Sequence, residues 1–194
     1  MTEREWERRL HIRSIGREDE SSPHYAPYEP TPYPVLERLA QSGLVRRRDH
    51  LLDYGCGKGR VAFFMAASVG CRVTGIDRSP ALITAAKENR KTCPKGDRVH
   101  LTCCSAEQYE IEGQNVFFFF NPFSEIIFEC VLRRLARARE TAGRPFTVLC
   151  YYPSEAYIRC LQARDGFEPL QEIDCRDLFS GRNPRERIAA WRLD

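Results

Sequence analysis

The chain has 194 residues, 42% of them hydrophobic and 29% charged, which fits one globular domain with its own core. A net charge of +3 creates no field that would demand nucleic acid or a membrane surface as partner. The longest apolar runs, 116–120 and 146–152, are too short to span a bilayer, and the charged start Thr2-Glu3-Arg4-Glu5 lacks a signal-peptide core, so a cytoplasmic protein without a membrane partner is expected.

Trp6, Leu10 and Ile12 make 3–13 weakly amphipathic, a short helix, and a loop rich in Ser, Pro and Tyr follows from 21 to 34. Residues 1–33 therefore read as an N-terminal extension and candidate lid, and 34–194 as the main domain. Val35 to Ser42 reads as a helix ended by Gly43. Strands and helices then alternate. Strands are expected at 50–54, 71–76, 98–103, 115–120 and 146–151, with helices at 61–69, 80–90, 124–140 and from Ser154 to before Gly166. Ser79 is a natural N-cap and Pro80 a natural first helical residue. Two last strands, 167–173 and 187–193, have no helix-length segment between them and are expected to pair antiparallel. The sum is a doubly wound, mostly parallel α/β sheet with a C-terminal antiparallel strand pair.

The nine cysteines include no C-x-x-C pair and their number is odd, so they read as free thiols, several inside apolar runs, and not as a metal site.

The chemistry concentrates at strand ends. Leu51-Leu52-Asp53-Tyr54-Gly55-Cys56-Gly57-Lys58-Gly59-Arg60 is an apolar strand, an acid and a three-glycine turn opening a helix. The spacing is G-x-G-x-G, and Arg60 stands where a dinucleotide fingerprint would place its last glycine. An acid directly before the turn suits a cofactor with an ammonium and a sulfonium better than one with phosphates. Asp77 closes the next strand about 20 residues on, where a carboxylate accepts both hydroxyls of a ribose. Cys104-Ser105-Ala106-Glu107 follows the third strand, in the loop that borders an adenine in this topology.

These residues, and the element order after Tyr28, resemble the class I S-adenosylmethionine (SAM)-dependent methyltransferases, in the small single-domain bacterial form. The resemblance implies SAM as cofactor and S-adenosylhomocysteine as product. It implies that Asp53, Gly55, Cys56, Gly57 and Gly59 line the methionine and ribose moieties, that Asp77 holds the ribose diol, and that Ser105, Ala106 and Glu107 flank the adenine. Arg78 stands where many members carry an apolar residue, and its guanidinium is expected to stack on the base.

Asn121-Pro122-Phe123-Ser124, at the end of the fourth strand, resembles the Asn-Pro-Pro-Tyr/Phe motif of amino-methyltransferases, with one proline missing. By that likeness the Asn121 amide oxygen and the Pro122 carbonyl orient an acceptor nitrogen while Phe123 packs on the substrate. The same residues also read as a helix-entry turn capped by Ser124. Pro30-Thr31-Pro32 resembles a segment that contacts SAM in several protein and histone lysine methyltransferases, so Thr31 is a cofactor candidate. His24, Tyr25, Tyr28 and Tyr33 are expected to form an aromatic lid, and Tyr151 and Tyr152 to face the same crevice; His24 or a tyrosine is the candidate base. Basic runs at 46–48 and 133–139 are interleaved with acids and read as solvated faces, which places nucleic acid second as a partner.

The expected function is SAM-dependent methylation of a nitrogen on a small molecule or a protein or peptide group. The alternatives are an amino-methyltransferase acting on RNA or DNA bases, an O- or S-methyltransferase, or a SAM-binding module without catalysis. A nicotinamide oxidoreductase is disfavoured by Arg60. Oligomeric state is not legible.

Overall fold

Five apolar segments line up as parallel strands: β1 (His50–Tyr54), β2 (Arg72–Asp77), β3 (Val99–Cys103), β4 (Val116–Phe119) and β5 (Phe146–Tyr151). In the computed structural model, which describes residues 1–18, 23–181 and 183–194, they join β6 (Phe167–Asp174) and β7 (Arg187–Leu193) in one seven-stranded sheet, order β3-β2-β1-β4-β5-β7-β6. Ser21 and Ser22, which open the expected loop, lie outside the described residues. β6 and β7 pair antiparallel as the sequence indicates, and β7 also inserts antiparallel against β5. Edge strand β6 is blunted by charged residues and by an irregularity at Pro169.

Parallel neighbours need helical crossovers, and these cover both faces of the sheet. α2 (Tyr33–Gln41), α3 (Arg60–Ser68) and α4 (Pro80–Thr92) contribute Leu36, Phe63, Phe64 and Ile83 to one core; α5 (Glu125–Ala142) and α6 (Glu155–Gln162) contribute Phe128, Leu132 and Tyr157 to the other. The wholly buried run Phe117-Phe118-Phe119 alternates between these cores. Strand order reverses between β1 and β4, which run parallel, so a crevice opens beyond Tyr54 and Phe119, at the carboxyl ends of the two strands. Among the described residues no helix is long and apolar enough to cross a membrane. All nine cysteines are free, and Cys56, Cys71, Cys93, Cys150 and Cys175 are buried.

The N-terminal extension folds onto this frame. α1 (Glu3–Leu10) starts with a capping box between Thr2 and Glu5 and ends at His11 in the left-handed region. Its Trp6 lies edge-on to Phe64, 4.8 Å between centroids, and parallel to Tyr33 at 5.7 Å. The polar counterpart of this packing is Arg60, only 3% exposed. It donates through Nε to Ser14 Oγ (2.8 Å) and through Nη1 to the Thr31 carbonyl (3.3 Å) and Glu3; Nη2 lies 3.5 Å from Glu7. Glu7 in turn accepts from the Ser14 N–H (2.8 Å) and the Tyr33 hydroxyl (3.1 Å). Farther along, Asn89 of α4 closes a two-way amide pair with Arg13, at 2.8 and 3.1 Å, and also donates to Lys58 O at 3.0 Å.

Arg60 keeps Glu3 when Glu7 is removed, but the Ser14 N–H and the Tyr33 hydroxyl lose their acceptor, so Glu7→Ala is expected to cost about 2–3 kcal/mol in urea unfolding. A loss below about 1 kcal/mol, the range of surface pairs, would mean that the hub does not hold the extension down.

Candidate active site

The glycine turn is forced by crowding on both sides. At Gly55 (φ +74°) an added Cβ would stand 2.5 Å from Pro122 Cβ, and at Gly57 (φ +52°) it would collide with the ring of Tyr28. The Gly55 and Cys56 N–H groups both donate to Ile76 O at 2.9 Å, which clamps the turn onto the end of β2. Gly57 N–H donates to Asp77 Oδ2 (2.9 Å), and Ser79 N–H donates to Asp77 Oδ1 (2.9 Å). Each Asp77 oxygen thus has one backbone donor and a lone pair to spare for a ligand hydroxyl. Burial raises the Asp77 carboxyl above its ordinary value, while the Ser79 and Gly57 N–H groups pull it back.

Asp53 is different. It is 2% exposed, and its Oδ2 has no hydrogen-bond partner among the described residues. Burial, reinforced by the Asp77 charge, pushes it up to about 8.

The crevice is a cavity of about 590 Å³, roofed by the segment from Tyr25 to Pro32. The Tyr28 hydroxyl donates to Ser14 O (2.6 Å), and its ring covers Gly57 beneath Lys58, which pairs with Glu18 at 2.7 Å. Tyr25 forms a β-bridge to Phe123, Ala26 N–H donates to Pro122 O (3.1 Å), and the Tyr25 hydroxyl donates to Glu107 (3.0 Å). The strap therefore crosses the whole crevice, from the glycine turn to the end of β4.

Of the residues selected by sequence, Asp53, Gly55, Cys56, Asp77, Arg78, Ala106, Thr31, Tyr25, Tyr28, Asn121, Pro122, Phe123, Tyr151 and Tyr152 line this cavity. Gly57, Gly59, Ser105 and Glu107 stand behind its wall as turn and roof supports. Two lid expectations are corrected. Tyr33 is wholly buried between Trp6 and Phe64 because it opens α2 on its core face, and His24 is exposed, 3.2 Å from Ser124 Oγ, outside the cavity. The Arg78 guanidinium, expected on the adenine, stacks 4.2 Å from the Tyr25 ring centre.

Asn121-Pro122-Phe123 is spoken for by the protein. Asn121 (φ +41°) donates through Nδ2 to Tyr152 O (2.6 Å) and accepts through Oδ1 from Ser154 N–H (3.1 Å), joining the ends of β4 and β5. The Pro122 carbonyl holds Ala26, and Phe123 is buried against Tyr54 and Phe119 while its carbonyl accepts from Tyr157 (2.7 Å). Ser124 sits at the N-cap of α5, but its side chain makes no cap bond. The segment is thus the helix-entry turn, tied to the end of β5 through Asn121 and to Ala26 through the Pro122 carbonyl. Tyr28 and Tyr151 are held well above the ordinary tyrosine range by burial, so both are donors at neutral pH and not bases.

Sequence reasoning passed over Phe120, Phe179, Arg185 and Glu186, which line the half of the cavity beside β5. The fourfold phenylalanine run was the one available signal, for Phe120.

Residues 51–143 match a family model described as a methyltransferase domain. A histone-lysine N-methyltransferase specific for H3 lysine-79, from Dictyostelium discoideum, is 30% identical over 110 residues, which are 50% of this chain and 6% of that protein's length. The fold matches an RNA methyltransferase from Salinibacter ruber, solved with S-adenosylhomocysteine (TM-score 0.60, 20% identity, 85% of this chain and 92% of that one). It matches the CcbJ methyltransferase from Streptomyces caelestis equally well (TM-score 0.62, 17% identity, 86% and 97%). Residues 51–143 are thus similar to a methyltransferase domain, and the chain as a whole has the Rossmann-like fold of these SAM-dependent methyltransferase structures.

Proposed function

We propose that the chain binds SAM over the glycine turn and transfers its methyl group to a nitrogen of a small molecule or of a protein or peptide side chain. The observation that carries the cofactor reading is the partnerless, buried Oδ2 of Asp53 between the glycine turn and Asp77. A cationic ligand favours the ionised form of Asp53, which burial and the Asp77 charge otherwise oppose; a phosphate-bearing one would oppose it further. When bound, SAM supplies a methyl carbon activated by a positively charged sulfur.

The chain's own residues divide the remaining work. Asp77 has the free lone pairs for the ribose hydroxyls, and Cys104 and Ala106 wall the side where the base belongs. Arg78 and Tyr25 close that side by stacking on each other. The strap excludes water and holds the acceptor channel to the β4–β5 side, and positioning of this kind supplies much of the rate of an in-line displacement. The acceptor nitrogen is supported by the lysine-methylating relative. Engagement of the Asn121 amide and the Pro122 carbonyl inside the protein weighs against a nucleobase amine held by that pair.

Asp77→Ala is expected to weaken SAM binding about tenfold or more by calorimetry, the scale of a lost hydrogen bond to a charged group; affinity within about twofold of the parent would refute the ribose assignment. Asn121→Ala is expected to lower the melting temperature, because it loses two bonds at a left-handed position, and to leave SAM affinity within a few-fold. An unchanged melting temperature combined with lost turnover would restore a direct role for the amide.

Asp53 gives a pH signature without ligand. Its proton affinity is higher folded than unfolded, so its contribution to stability is complete below about pH 4 and is lost as pH rises through about 8. Asp53→Asn is therefore expected to gain stability over the parent between those values and to hold the gain above pH 8, as read from melting curves. A difference independent of pH would place the carboxylate in a solvated setting.

A further inference from the structure

The β5 side of the cavity has a chemistry of its own. Phe120, Tyr151 and Tyr152 meet pairwise at 4.7, 6.4 and 6.2 Å between centroids, with interplanar angles of 50°, 81° and 57°. None of these pairs is stacked, and Phe179 adds a fourth ring to the wall. Ring faces arranged in this way attract cations, and Arg185 already lies 4.2 Å from the centre of Tyr152. That guanidinium donates to Pro153 O and Tyr152 O, both at 3.2 Å, and so packs as part of the wall.

Between the rings stands Glu186. Its Oε2 accepts from the Tyr151 hydroxyl at 2.8 Å, and Oε1 has no partner among the described residues. Its backbone is pinned on both sides, with Glu186 N–H donating to Asn183 O (3.0 Å) and Cys175 N–H to Glu186 O (2.9 Å). Glu29, on the roof, adds a second carboxylate to the same space. Tyr152 holds φ +50°, a conformation disfavoured for a bulky side chain and maintained by the Asn121 bond to its carbonyl. Strain of that kind concentrates where a side chain must be aimed at a ligand.

We infer that this half of the cavity is a subsite for an amine acceptor that binds in its alkylammonium form, its charge held by Glu186 Oε1 and its nitrogen substituents against Phe120, Tyr151, Tyr152 and Phe179. The acceptor gives one proton to that carboxylate, which frees the nitrogen lone pair for the methyl carbon as the C–S bond breaks. The inference rests on the reading of the other half as the SAM site. It assigns Glu186 as the specificity-determining residue for the acceptor, with Tyr151 as the positioning residue that fixes one carboxylate oxygen and leaves the other free.

The test uses the full chain loaded with S-adenosylhomocysteine, titrated by calorimetry with hexylamine, butyltrimethylammonium, hexanol and hexanoate. Both cations are expected to bind about tenfold or more tightly than hexanol and hexanoate. Glu186→Gln, which keeps an acceptor for the Tyr151 hydroxyl, is expected to erase that preference while leaving S-adenosylhomocysteine and hexanol affinities within about twofold. Tyr151→Phe is expected to reduce the preference in part. Equal or tighter binding of hexanoate, no binding of either cation, or a cation preference that survives Glu186→Gln would overturn the inference. A chain that fails to bind S-adenosylhomocysteine refutes the cofactor reading instead, and the same four probes on the unloaded protein then decide the subsite.

Discussion

The roof over the crevice depends on one buried guanidinium. Arg60 opens the helix that the glycine turn feeds, so its place is fixed by the turn, and its donors reach Ser14, Thr31, Glu3 and Glu7 on either side of the strap. Burying an arginine is costly unless it is both paired and hydrogen-bonded; here Nε and Nη1 are hydrogen-bonded by residues outside the sheet, and Nη2 is held only by its ion pair with Glu7. The N-terminal extension is consequently part of the cavity wall. Tyr28 then closes over Gly57, and Tyr25 reaches Phe123 on the far side of the crevice.

The same economy shapes the floor. Two acids, Asp53 and Asp77, stand close enough that the Asp77 charge raises the proton affinity of Asp53, and only Asp77 is supplied with backbone donors. The Gly57 and Ser79 N–H groups keep Asp77 fit to accept ligand hydroxyls. Asp53 has none, which makes its charge state depend on what enters the cavity. Across the crevice the balance differs: aromatic rings and Glu186 take the place of backbone donors, and the Asn121 amide ties the two strand ends that carry them.

The repeating parts of the fold were legible in the sequence. β1 and β5 begin and end where the apolar runs do, and helix bounds move by a few residues because capping decides them: α2 opens at Tyr33, since Pro34 suits a first turn, and α1 stops at a left-handed His11. The glycine turn was legible because its local backbone demands glycine whatever surrounds it. Long-range polar pairing was not. Arg60 read only as a missing glycine, because its partners at 3, 7, 14 and 31 share no local pattern with it. Asn121 shows the converse. Its likeness to a catalytic asparagine is local, and its bonds to Tyr152 and Ser154 exist only once β4 lies beside β5. Glu186 is one glutamate among many until the sheet brings it to Tyr151.

The most direct measurement is calorimetric titration of the protein with SAM near pH 7, in two buffers of different ionisation enthalpy. Asp53, held up to about 8 in the empty cavity, is largely protonated at that pH. A cationic ligand beside it favours the carboxylate, so binding is expected to release a proton, visible as a buffer-dependent heat that disappears in Asp53→Asn. Absence of SAM binding, or binding with a proton release unchanged by Asp53→Asn, would contradict the assignment of this cavity to a cationic methyl donor.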